Sequence, residues 1–145
     1  MGKYKDSFSW LCLSILCICI YLLSTAEFNI IDYNRQLIID GQYWRLISGN
    51  FNHTNEYHLL LNITALLVIA GLHAKHYSQA YFSLIILALA SAVGFGILIF
   101  SPTVTLYVGL SGILHGLIVI GGAFDIKENM KTGWLLILGM IGKVL

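Results

Sequence analysis

A serine flanked by glycines is the pattern in this chain best suited to chemistry. The tetrapeptide Gly109–Gly112 holds Ser111 at its third position, in a stretch without a charged residue from position 101 to position 124. A serine hydroxyl becomes a nucleophile when a general base takes its proton. Small neighbours also let a substrate backbone approach the hydroxyl. The pattern indicates acyl-transfer chemistry in an apolar environment.

His58 and Asn62 form a second polar pair, four residues apart and therefore on one face of a helix. Both side chains carry N–H groups that can donate to the oxyanion of a tetrahedral intermediate. We interpret the pair as an oxyanion hole for Ser111. Two structural alternatives stay open: an interhelical hydrogen-bond pair contributing on the order of 1 kcal/mol, and a glycine–serine motif that serves only helix packing.

The composition defines the setting of these residues. The chain has 145 residues, of which 58% are hydrophobic and 10% charged, whereas soluble domains have about 25% charged residues. A net charge of +1 without a basic cluster argues against nucleic-acid binding. The three cysteines lie in the first apolar run and are interpreted as small hydrophobic residues, with no disulfide, metal site or cofactor expected. These features predict an all-α, polytopic membrane bundle.

Five apolar runs are candidates for helices, since about 20 such residues cross a bilayer. If the fourth run is helical throughout, Ser111 lies five residues into it, roughly 8 Å below its outer end. The last run is still apolar at Leu145, so we expect residues 1–145 to be a single membrane domain that is incomplete at its C-terminus. The runs are Phe8–Thr25, Tyr57–Ala74, Ala80–Phe100, Leu106–Phe124 and a segment beginning near Thr132.

The distribution of lysine and arginine predicts a cytoplasmic N-terminus, because these residues favour the inner side. The first run is longer than the core of a signal peptide and is predicted to be retained as a helix. In this orientation His58, Asn62 and Ser111 all fall near the extracytoplasmic surface. The predicted inner residues are Lys3, Lys5, Lys75, Lys127 and Lys131, and the outer ones are Arg35, Arg45 and Lys143.

The chain resembles the rhomboid intramembrane serine proteases. Gly109–Gly112 matches the Gly-x-Ser-Gly motif of their fourth core helix, and His58 with Asn62 matches the His-x-x-x-Asn motif of their second. Trp44-Arg45 and the loop histidine His53 match two further family features. The resemblance covers roughly Tyr43 to the end of the chain. It implies a six-helix core, of which five transmembrane helices are expected here.

The rhombosortase branch of the family is the most similar, on the segments Tyr43–Leu46 and Gly109–Gly116. The resemblance implies a bacterial inner-membrane enzyme that cleaves transmembrane or secreted substrates near a C-terminal Gly-Gly motif followed by a hydrophobic tail. The lipid bilayer and such substrates are the expected partners.

The resemblance implies a Ser-His dyad in which Ser111 is the nucleophile. His58 and Asn62 form the oxyanion hole, together with the Ser111 backbone N–H, and a histidine of the sixth helix is the base. No match to that histidine occurs before Leu145, so residues 1–145 alone are expected to be essentially inactive.

Three other interpretations remain. The chain is a non-catalytic rhomboid-like protein that binds transmembrane helices, or His115 serves as the base, or His58 and His115 bind haem. The remaining histidines, His53, His73 and His76, are interpreted as loop or membrane-edge residues.

Overall fold

The computed structural model describes residues 8–24 and 30–144, and within them the chain forms a helical bundle with one short two-stranded antiparallel sheet. The first apolar helix is followed by a long, partly helical segment, and four further helices come after it. The elements are α1 (Phe8–Leu23), β1 (Tyr33–Asn34), α2 (Arg35–Ile39), α3 (Arg45–Ser48), α4 (Glu56–His73), α5 (Gln79–Phe100), β2 (Leu106–Tyr107), α6 (Ser111–Lys127) and α7 (Lys131–Val144).

Helix starts follow the capping preferences of the sequence. The Asn55 side chain accepts a hydrogen bond from the backbone N–H of His58 at 2.9 Å, which caps α4. The Ser78 hydroxyl accepts from the backbone N–H of Tyr81 at 3.3 Å and caps α5. Asparagine and serine favour these positions because their oxygens satisfy N–H groups that have no partner inside the helix.

The core joins α1, α4, α5 and α6. Leu66, Ala90 and Leu117 contribute to it from three of these helices and are fully buried. Trp10 of α1 packs against Phe82 of α5, with the ring centroids 4.3 Å apart. Most other large apolar side chains of these helices are exposed, which is the arrangement expected where the surrounding solvent is lipid.

Among the described residues, two helical stretches are long and apolar enough to cross a membrane by length and composition: Glu56–His76, which includes a 3₁₀ turn after α4, and Gln79–Phe100. Helix α1 is apolar but shorter, with 16 residues. Each of the five predicted runs contains a helix. The number of helices that span the membrane stays a prediction, and Thr25 of the first run lies outside the described residues.

The predicted start of the fourth helix is wrong. Residues Leu106–Tyr107 form strand β2 and pair antiparallel with Tyr33–Asn34 of β1. Helix α6 therefore begins only at Ser111, which is its first residue and not its fifth or sixth. The apolar run continues through both elements, so hydropathy alone gives no signal at the boundary. The left-handed backbone at Gly109 does mark it.

The segment between β1 and α4 is tied to α5 through backbone carbonyl groups. The Arg35 guanidinium donates to the carbonyl of Leu98 at 2.9 Å. The buried Asn50 side chain donates to the carbonyl of Ala90 at 3.2 Å. These two bonds fix the extracytoplasmic loop of the predicted topology against one helix of the bundle.

A buried polar contact joins the far ends of α4 and α6. Nε2 of His73 lies 3.2 Å from Oδ1 of Asp125, and the Thr132 hydroxyl donates to Oδ2 of Asp125 at 2.7 Å. The His73 ring packs against Gly121, where a Cβ atom would lie 2.5 Å from Nδ1. The sequence predicts His73 to be a loop or membrane-edge residue. It does lie at a helix end, but it is buried, because Asp125 provides its partner.

Replacing Asp125 with leucine should lower the free energy of unfolding by about 1–3 kcal/mol, because the His73 ring and the Thr132 hydroxyl both lose their acceptor. Asp125→Asn keeps one acceptor oxygen and should lose less. Unfolding in detergent, followed by tryptophan fluorescence, measures both variants. Equal losses would show that the acceptor oxygen kept by asparagine does not stabilise the fold.

Candidate active site

A tight turn places the serine at the start of α6. Gly109 adopts φ +119°, a left-handed conformation that favours glycine. Its backbone N–H donates to the carbonyl of Gly49 at 3.2 Å. The Tyr107 hydroxyl donates to the Gly109 carbonyl at 3.0 Å and accepts from the backbone N–H of Gly112 at 3.4 Å. The turn is thus held from both sides, and Ser111 follows as the first residue of the helix.

His58 and Asn62 of α4 lie against this turn. A Cβ atom built on Gly109 would lie 2.6 Å from Cε1 and 2.7 Å from Nε2 of His58, and 3.8 Å from Nδ2 of Asn62. The structure therefore brings both predicted α4 residues next to Gly109, two positions before Ser111. Because the other ends of the two helices meet at His73 and Asp125, α4 and α6 run side by side in the same direction.

Two nitrogen atoms face the turn that leads into Ser111 (residues 107–111), which we call the serine turn. Asn62 is buried, and its Nδ2 makes no hydrogen bond to any described residue. An unpaired buried donor usually costs stability, by about 1–3 kcal/mol. Nε2 of the half-buried His58 ring lies on the same side, toward Gly109. The site thus combines an uncommitted amide donor with an imidazole nitrogen beside a helix that begins with serine.

The His58 ring is held at its other edge by loop residues. Nδ1 lies 3.2 Å from the Thr54 hydroxyl oxygen. His53 packs edge-on, with its ring centroid 5.1 Å from that of His58. His53 was interpreted as a loop residue. It lies in the loop but is buried, and its two ring nitrogens make no hydrogen bond within the part of the chain that the structure describes.

His115 binds the backbone of Ser111. Its Nδ1 lies 2.6 Å from the Ser111 carbonyl oxygen, so Nδ1 is the donor. The two residues do share a helix face, as the i, i+4 spacing predicts. The bond nevertheless goes to the carbonyl, and the Ser111 hydroxyl makes no hydrogen bond within residues 8–24 and 30–144. This geometry gives no support to His115 as the base.

Sequence reasoning missed Thr54 and Tyr107. The Tyr107 hydroxyl orders the turn through its two hydrogen bonds. Its position two residues before Gly109 is the sequence feature that could have indicated this role. Thr54 contacts His58 from the residue directly before the helix cap. No feature of its spacing in the sequence points to the imidazole.

The comparison with known families agrees with this architecture. These helices and the turn before Ser111 define a helical protein with a candidate hydrolytic site. The family model of the rhomboid domain matches residues 40–142, and the chain belongs to the rhomboid family, whose members are generally intramembrane serine proteases. With its two apolar helices it is an integral membrane protein. No curated protein sequence matches the chain.

Gly109→Ala should lower the free energy of unfolding by about 1–3 kcal/mol, since alanine is strained at this φ and its Cβ would overlap the His58 ring. Gly96→Ala is the matched control, because a Cβ there meets nothing within 4 Å. Thermal unfolding of both variants in detergent measures the difference. A Gly109→Ala protein as stable as the control would rule out the close contact.

His53 should make the fold sensitive to acid. Burial first, and the neighbouring His58 second, lower the pKa of His53 to about 4, whereas a histidine in the unfolded chain titrates near 6.5. The unfolded state therefore takes up the proton first as the pH falls. The contribution of neutral His53 is complete above about pH 6.5 and is lost as the pH falls toward about 4.

Melting temperatures measured at about pH 7.5 and about pH 4.5 check this linkage. His53→Asn should lose less on acidification than the unmodified protein, because the other titrating groups are common to both. Identical losses would mean that His53 is not the group responsible.

Proposed function

We propose that this protein is an intramembrane serine endopeptidase with Ser111 as its nucleophile. The Ser111 hydroxyl attacks the carbonyl carbon of the scissile bond, and the resulting oxyanion accepts hydrogen bonds from His58, Asn62 and the Ser111 backbone N–H. The observation that carries the proposal is the contact of His58 and Asn62 with Gly109. A donor pair placed against the turn before a helix-starting serine is suited to such an intermediate.

The base of the proposed dyad is a histidine other than His58 and His115. His115 already donates to the Ser111 carbonyl through Nδ1, and His58 faces Gly109 as a proposed oxyanion donor. We propose that a histidine of a sixth helix takes the serine proton and returns it to the leaving amine, as the rhomboid resemblance implies.

The substrate is proposed to be a transmembrane or hydrophobic-tail segment that enters from the lipid and unwinds near small residues. A cavity of about 460 Å³ lies beside the site, lined in part by Thr54 and Val108, with Asp32 and Arg45 at its polar side. It offers space for water and for an extended stretch of substrate on the loop side of the site. A rhombosortase-like preference for a C-terminal Gly-Gly motif before the tail is the finer form of this proposal.

We further propose a bacterial inner-membrane location with a cytoplasmic N-terminus, which puts the Ser111 end of α6 on the extracytoplasmic side. The lysine and arginine distribution supports this orientation. The buried pair of His73 and Asp125 then lies at the cytoplasmic end of the same helices.

A non-catalytic role is the second candidate. A rhomboid-like protein that binds transmembrane helices without cleaving them would use the same groove. The observation that favours it is the Ser111 hydroxyl, which makes no hydrogen bond to a base within the described residues. The Asn62 amide argues for catalysis, because its unpaired donor lies against the turn that leads into Ser111.

A fluorophosphonate probe distinguishes the two roles in the protein expressed from its complete reading frame. The probe should label the protein, and Ser111→Ala should abolish labelling because the nucleophile is gone. His58→Ala and Asn62→Ala should each slow labelling by about 10- to 1,000-fold, since each removes one oxyanion donor. Gly96→Ala serves as the control for folding. Labelling that survives Ser111→Ala would remove Ser111 from the mechanism.

A further inference from the structure

Three hydrogen bonds close a ring at the start of α4. The backbone N–H of His58 donates to Oδ1 of Asn55 at 2.9 Å. Nδ2 of Asn55 lies 3.4 Å from the Thr54 hydroxyl oxygen, and that oxygen lies 3.2 Å from Nδ1 of His58. The three bonds thus connect the backbone N–H of His58, through Asn55 and Thr54, to the His58 side chain.

The direction of the ring follows from its first bond. Oδ1 of Asn55 is used as an acceptor, so the other end of the amide is the NH₂ group, which only donates. The Thr54 oxygen therefore accepts from Asn55. A hydroxyl that accepts one hydrogen bond becomes a stronger donor in the next, because neighbouring bonds polarise each other. This polarisation favours a Thr54 O–H that donates to Nδ1 of His58.

A neutral imidazole that accepts at Nδ1 carries its proton on Nε2. Nε2 is the His58 nitrogen that lies toward Gly109. Within the described residues the bond to Thr54 is the sole hydrogen bond of the His58 side chain. No other group there therefore determines which ring nitrogen carries the proton. The His53 ring, the titratable neighbour in contact, meets His58 edge-on without a hydrogen bond.

We propose that Thr54 is a positioning residue that fixes the His58 tautomer with its proton on Nε2 and its N–H directed at the serine turn. The catalytic part of this inference rests on the proposed function, because an oxyanion donor needs its proton on that nitrogen. The tautomer itself does not depend on any activity. Thr54 and Asn55 are both exposed, so their substitution leaves the core intact.

Nitrogen-15 NMR of the histidine-labelled full chain tests the tautomer, at about pH 8 where an ordinary histidine is neutral. The unmodified protein should show His58 protonated at Nε2. Thr54→Val is nearly isosteric but removes the donor, and should shift the tautomer ratio by about three- to tenfold toward Nδ1–H. Thr54→Ser restores the hydroxyl and should restore the ratio.

Asn55→Asp gives a sharper test of which groups donate and which accept in these hydrogen bonds. The carboxylate still caps α4 by accepting from the His58 backbone N–H. It has no NH₂ group, so it accepts from the Thr54 hydroxyl and draws that donor away from His58. The proton on His58 should then move to Nδ1, which can donate to Thr54. A His58 signal unchanged in both Thr54→Val and Asn55→Asp overturns the inference, as does Nδ1–H in the unmodified protein.

Inactivation by the fluorophosphonate links the tautomer to chemistry. Thr54→Val should lower the limiting inactivation rate about three- to tenfold while the inhibitor's half-saturation concentration stays constant, and Thr54→Ser should recover it. A loss in both variants, or in neither, overturns the positioning role. An unmodified protein that never reacts with the probe overturns the proposed function instead, and the NMR result then decides the tautomer alone.

Discussion

The site depends on the close approach of two helices at a residue without a side chain. Gly109 allows the His58 ring and the Asn62 amide to reach the backbone that leads into Ser111. Any other residue at this position would both strain the turn and separate the two helices. The serine lies far in the sequence from the imidazole and the amide, and this one contact brings both side chains next to the turn before Ser111. Strand β2, the Tyr107 hydroxyl and the buried helix core serve to hold it in place.

Much of this arrangement could be predicted from the sequence. The apolar runs located all five long helices, and four of them begin within one residue of the prediction. The spacing of His58 and Asn62 predicted their shared helix face, and charge distribution predicted that they and Ser111 lie at the same end of the bundle. These inferences work because helical periodicity and the cost of burying charge in lipid are local properties of the chain.

The parts that could not be predicted depend on contacts between distant segments. The apolar pattern predicts that Leu106–Tyr107 belongs to a helix. These residues instead form a strand, because they pair with Tyr33–Asn34. His73 is predicted to be a loop or membrane-edge residue, and it is buried at a helix end because Asp125 lies opposite. In each case a residue more than 50 positions away decides the outcome. A pattern read along one segment contains no information about such a partner.

The anchoring of the segment between β1 and α4 on α5 has a consequence for how the sequence can diverge. Arg35 and Asn50 both bind main-chain oxygens of that helix, at Leu98 and Ala90. Every residue type presents the same oxygen, so the attachment places no demand on which side chains α5 carries at these two points. Relatives of this chain can therefore exchange the Leu98 side chain without losing the bond from Arg35, whereas at Ala90 complete burial, and not the bond from Asn50, restricts the residue.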